Sequence, residues 1–116
     1  MTFVSYLLAI VLIVLCSLSA LMDFVKPPQI VEVMNRLKVP VKALPVLGAI
    51  KLVACIGLAV GFSRIRVGEL AGLGLCAYFA VATTTHTRVK DSFKDTLPAF
   101  THLVLSVLYV LVTFAR

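Results

Sequence analysis

The chain has 116 residues, 61% of them apolar and only 14% charged, with a mean hydropathy of +1.10; soluble domains carry about 45–50% apolar and about 25% charged residues. This length leaves room for one domain and the composition excludes a soluble one, so the protein is read as integral to a membrane, with membrane lipid as its surroundings. The formal charge of +6 lies beside apolar runs, where basic side chains meet lipid head groups, and no nucleic-acid partner is expected.

Four apolar runs divide the sequence: Phe3 to Leu21, Leu44 to Phe62, Val67 to Ala82 and Leu97 to Phe114. Each approaches the ~20 residues that cross a bilayer as a helix. The fold class expected is all-α: an integral membrane four-helix bundle forming a single domain over residues 1–116, with spans at about 3–21, 44–62, 67–85 and 97–114. No Lys or Arg precedes the first run, which therefore reads as a retained membrane helix and not as a secretory signal peptide.

Met22 to Ala43 is the longest polar interruption, with Asp23, Lys26, Glu32, Arg36, Lys38 and Lys42, and with Pro27 and Pro28 to stop the preceding helix. After the prolines, Ile30, Val33, Met34 and Leu37 recur at helical spacing, which predicts a short amphipathic helix at the interface between spans 1 and 2. Two placements suit it: an anchor with its apolar side towards acyl chains, or a lid over the mouth of the bundle.

The second run, LPVLGAIKLVACIGLAVGF, holds a full charge at Lys51, roughly 10 Å inside one end at about 1.5 Å per residue. A lysine at such depth costs about 2.5–3.5 kcal/mol on insertion scales. Three readings are open: it snorkels to the head groups, it pairs inside the bundle with Asp23 or with hydroxyl and carbonyl oxygens, or it binds or transforms a ligand. Only Ser63 to Arg66 separate the second and third spans, making them antiparallel neighbours. Gly57 and Gly61, and Gly68 and Gly72, stand four apart, a spacing that lets membrane helices approach closely. The third span ends in Thr83, Thr84, Thr85 and His86, a charged loop holds Arg88, Lys90, Asp91, Lys94 and Asp95, and Pro98 is expected in the first turn of the fourth span, which carries His102 and Tyr109.

Counting depth from the loops brings Lys51, His102, Ser17, Ser19, Asp23 and Thr83 to His86 into one leaflet, with Glu69 near the opposite face beside Arg66. The two long loops hold seven basic residues (Lys26, Arg36, Lys38, Lys42, Arg88, Lys90 and Lys94) against Arg64, Arg66 and Arg116 on the other side, so the positive-inside rule puts the long loops in the cytoplasm. Cys16, Cys55 and Cys76 have no CxxC spacing and read as small buried hydrophobes, with a Cys55–Cys76 redox pair as the alternative. His86 and His102 belong to no spaced metal motif, and no metal site is expected.

The segments LPVLGAIKL, with Gly48 and Lys51, VGELAGLGL in the third span, and His86-Thr87-Arg88 followed by Asp91 together resemble the DoxX-like family of small four-helix membrane proteins. The resemblance implies a single bundle with a polar pocket in a bacterial cell membrane, and marks Lys51, His86, Arg88 and Asp91 as site residues. The family's name comes from an association with thiosulfate:quinone oxidoreductase, and other members resemble auxiliary subunits of membrane redox complexes. This chain has no flavin fingerprint or metal-cluster motif, and its cofactor is left unspecified.

Two functions follow. In one, a pocket takes a lipophilic molecule with a polar head, of quinone, isoprenoid or sterol type: Lys51 and His102 meet the polar end as candidate acid–base groups, and Asp23, Thr83, His86, Arg88 and Asp91 complete the ligand site. Whether catalysis follows binding is open. In the other, the protein is a non-catalytic accessory or assembly subunit whose glycine faces dock a membrane partner or a second copy of itself.

Overall fold

Proline stops a helix because it lacks an N–H and crowds the preceding turn, and in the computed structural model, which describes residues 2–116, the first helix runs on until Pro27 intervenes. Helix α1 spans Thr2–Val25, four residues beyond the apolar run, and so takes Asp23 into the helix. Pro28 then opens the short helix α2, Pro28–Arg36, at a position where its missing N–H costs nothing. A 3-10 turn at Val41–Ala43 leads into α3, Leu44–Val60, and two further helices follow: α4, Ile65–Arg88, and α5, Phe93–Phe114.

The four long helices form a closed antiparallel ring in which α1 packs on α3, α3 on α4, α4 on α5 and α5 back on α1. All four are long and apolar enough to cross a membrane, and the long dimension of the molecule, 41 Å, exceeds the hydrocarbon thickness of about 30 Å. The chain is a multi-pass membrane protein. Ala9, Leu12, Cys16, Cys55, Leu58, Leu75, Phe79, Tyr109 and Val110 form its core, while Leu7, Ile10, Val14, Leu18 and Leu21 of α1 point outward at helical spacing. Large side chains outside and many small ones inside suit lipid, where close packing replaces the hydrophobic effect as the force between helices.

The glycines show that close packing. A Cβ on Gly61 would lie 2.6 Å from Gly68 Cα, and one on Gly57 would lie 2.8 Å from Ala71 Cβ, so α3 and α4 nearly touch backbone to backbone. Gly72 receives Tyr109 and Val110 of α5. Both glycine pairs are therefore used within the chain.

One expectation needs correction. Helix α5 starts at Phe93, because Ser92 caps it by accepting the Asp95 N–H at 3.1 Å, so Pro98 lies inside the helix and not in its first turn. Glu69 is half-buried in the first turns of α4, at the hairpin end of the bundle where it was expected. At the same end of the bundle Ser5 and Thr113 share a hydrogen bond of 2.8 Å, tying α1 to α5.

Candidate functional site

Extending α1 through Asp23 sets its carboxylate one turn beyond Ser19 on the same face, and both meet Lys51 of α3. Lys51 Nζ donates to Asp23 Oδ2 at 2.8 Å and to Ser19 Oγ at 2.7 Å, and lies 5.5 Å from the centre of the Tyr78 ring. Lys51 is only 6% exposed and Asp23 5%. Of the three readings of the lysine, interior pairing is observed and snorkelling is excluded because the ammonium is held inside the bundle, while pairing leaves Lys51 in the wall of a cavity. Gly48, one turn from Lys51, brings the helices together here, since a Cβ on it would meet Phe24 at 3.0 Å and Ala20 O at 3.3 Å.

The pair forms part of the wall of a cavity of about 760 Å³, within the range of about 300–1,000 Å³ typical of small-molecule sites. Ser19 and Asp23 of α1, Leu47, Ile50 and Lys51 of α3, Gly74, Tyr78, Val81 and Thr85 of α4, and Ala99 and His102 of α5 line it. Its other wall is α2: Ile30, Val33, Met34 and Leu37, the apolar stripe read from sequence, all face the same space. Between the anchor and lid placements, this one is a lid. Gly74 contributes by omission, because a Cβ there would meet nothing within 4 Å.

A polar cluster pins this lid to the bundle. Arg36, the last residue of α2, donates to Asp91 Oδ2 through Nη2 at 3.3 Å with its Nε 3.0 Å from Oδ1, and lies 3.6 Å from Asp95 and 3.8 Å from Glu32. His86 Nδ1 donates to Asp91 Oδ2 at 2.7 Å. The backbone prepares the contact: Lys90 adopts a left-handed conformation, φ 57°, that turns the chain back after α4 so that Asp91 N–H reaches His86 O at 2.9 Å. The His86 hydrogen bond and, after it, the Arg36 guanidinium hold the Asp91 carboxyl below the usual carboxylate range, against the opposing effect of burial. The hydrogen bond to Asp91 in turn raises Arg36 above its ordinary value.

The residues marked from sequence thus fall into separate groups. Lys51 and Asp23 form the intramembrane pair, and His86 and Asp91 form the pin at the rim. His102 lines the cavity, its ring stacked on Phe79 with centres 4.7 Å apart. Its Nδ1 donates to Pro98 O at 2.6 Å, leaving Nε2 buried without a partner, as is Thr83 Oγ1. Thr83 is half-buried on α4 but is not among the residues lining the cavity. Arg88 is exposed and borders a shallow recess with Ala80, Val81 and Thr84 instead. Cys55 turns towards α1, with Ser17 Oγ at 3.5 Å and Ile13 O at 3.7 Å, and all three cysteines are free thiols. Sequence reasoning does not single out Arg36, one charge among several in the polar interruption, or Tyr78, which lies inside the third apolar run.

Comparison with curated proteins and with solved structures returned no match. A profile of the DoxX-like family matches residues 7–109, from Leu7 in α1 to Tyr109 in α5, and so takes in every element that builds the cavity. The chain belongs to the DoxX-like family.

Proposed function

We propose that this membrane protein binds a lipophilic small molecule with a polar head, of quinone, isoprenoid or sterol type, in the cavity beneath α2. The observation that carries the reading is the union of a large apolar chamber with a buried ion pair in its wall. An ion pair taken out of water contributes little to stability by itself, whereas a pocket that is apolar apart from a few convergent polar groups is the usual form of a ligand site. The tail would lie along Ile50, Gly74 and Val81 and against the apolar stripe of α2, with the head at the Lys51 end. Should chemistry follow, Lys51 and His102 are the candidate acid–base groups among the titratable residues that line the cavity.

The alternative, an accessory subunit of a membrane redox complex, is weakened by the internal use of Gly57, Gly61, Gly68 and Gly72. A partner would have to dock on another face.

Photo-crosslinking with diazirine-bearing farnesol tests the proposal. Label is expected within Ile30–Leu37 and Gly74–His86. Label confined to outward residues such as Leu18 and Leu70 would reduce the protein's contact with such molecules to ordinary solvation by lipid.

A further inference from the structure

Taking the cavity as a ligand site, we infer that it selects an uncharged hydroxyl head, received between Ser19 and Asp23. Hydrogen-bonding capacity left over in the polar wall decides which head group fits. An ammonium has three N–H donors and no acceptor. Two of those on Lys51 go to Ser19 Oγ and Asp23 Oδ2, and the face of Tyr78 lies on its remaining side. The lysine, the one residue here that would attract an anion or polarise a carbonyl, is therefore already spent.

Two capacities remain on the α1 side of the lysine, while His102 Nε2 on α5 is a further buried acceptor in the same cavity. Asp23 accepts through Oδ2 alone; among the described residues no donor reaches Oδ1, which is not one of the buried unpartnered atoms either, those being Thr83 Oγ1 and His102 Nε2. It therefore stands open to the cavity that Asp23 lines. Ser19 accepts from Lys51, but its own proton is not returned to the helix, unlike that of Ser106, which goes to His102 O at 2.7 Å, or that of Thr85, which goes to Val81 O at 2.8 Å. Ser19 and Asp23 are four apart on α1, hence neighbours on one face. The wall thus offers one acceptor and one donor side by side.

A hydroxyl donates and accepts, and satisfies both. An ether or a quinone carbonyl takes the Ser19 proton but leaves the Asp23 oxygen without a donor, a costly omission away from water. A carboxylate or phosphate would face Asp23 Oδ1 with like charge, and an amine would add a net charge beside a pair that already sums to zero. Prenols, sterols and quinols share the hydroxyl; quinones and anionic lipids do not.

The full chain in mild detergent is tested by native mass spectrometry against matched pairs: farnesol and farnesyl methyl ether, cholesterol and cholesteryl methyl ether, and a short-tailed ubiquinol and its quinone, with farnesoic acid as the anionic control. In at least one pair the hydroxyl compound should bind about tenfold more tightly than its partner, and the pair that discriminates identifies the source. In the double variant Asp23→Leu with Lys51→Leu, which replaces both charges at once and leaves neither stranded, the affinity of the hydroxyl compound should fall to that of its partner. Equal affinity within every pair for wild type, or tightest binding of the acid, would overturn the hydroxyl inference and leave the cavity as a lipid site. Absence of binding by every compound, ethers included, would overturn the cavity reading and the inference together.

Discussion

Lys51 Nζ lies 2.8 Å from Asp23 Oδ2, so the charge set inside the second span is cancelled by a carboxylate on the last turn of the first helix. Removing one member of such a pair strands the other, at about 3–5 kcal/mol, whereas replacing both by apolar residues is often neutral or stabilising. Lys51→Leu and Asp23→Leu should each lower the unfolding temperature in detergent, and the double variant should recover it. Additive losses would mean that the two charges do not depend on each other.

The rim cluster gives a pH dependence with a definite sign. Asp91 is held below the usual carboxylate range by His86 and Arg36, with Glu32 and Asp95 also near Arg36. A depressed folded value means stability present above the unfolded carboxylate value of about 3.9 and lost as pH falls through the folded one. Melting temperature measured against pH should fall at the acid end more steeply for wild type than for Asp91→Asn. At neutral pH, Arg36→Ala should speed hydrogen exchange in α2 while leaving α4 unchanged.

Lys90 holds its left-handed φ of 57° at a cost that glycine does not bear, about 1 kcal/mol. Lys90→Gly should raise stability by roughly that amount, and Lys90→Val should lower it and loosen the rim cluster, both read from thermal unfolding.

The α3–α4 approach predicts a suppressor. A Cβ on Gly68 would collide with Tyr109 Oη and lie 3.0 Å from Gly61 Cα, so Gly68→Ala should cost about 1–3 kcal/mol by overpacking. Tyr109→Phe, which removes the colliding hydroxyl, should restore part of the loss, while Gly74→Ala, facing open space, should be close to neutral.

The four spans and the short helix were legible because hydropathy and helical spacing are local signals. Asp23 is legible as a partner of Lys51 although it lies beyond the apolar run that ends at Leu21; nothing before Pro27 stops the helix, and the extended helix brings the pair together. The contact of Arg36 with Asp91 joins positions 55 apart, and no local pattern encodes it. Arg88 illustrates a different limit: it is two residues from His86, so at about 100° per residue the two point to opposite sides of α4. Both are polar at one helix end, yet only His86 turns to the rim. A pocket is what the family resemblance implies, and a lid is one of two placements open to α2; which placement holds depends on the apolar stripe of α2 folding over the bundle, a contact that no local pattern encodes.

The central claim, that the cavity holds a lipophilic molecule, is met most directly by native mass spectrometry of the protein extracted from its own membrane in mild detergent, comparing wild type with Gly74→Leu. The variant places a side chain in open space and leaves the Lys51–Asp23 pair in place, so folding should be unchanged. A small molecule retained by wild type and lost from Gly74→Leu is the result expected. The same molecule retained equally by both, or none retained by either, would contradict it.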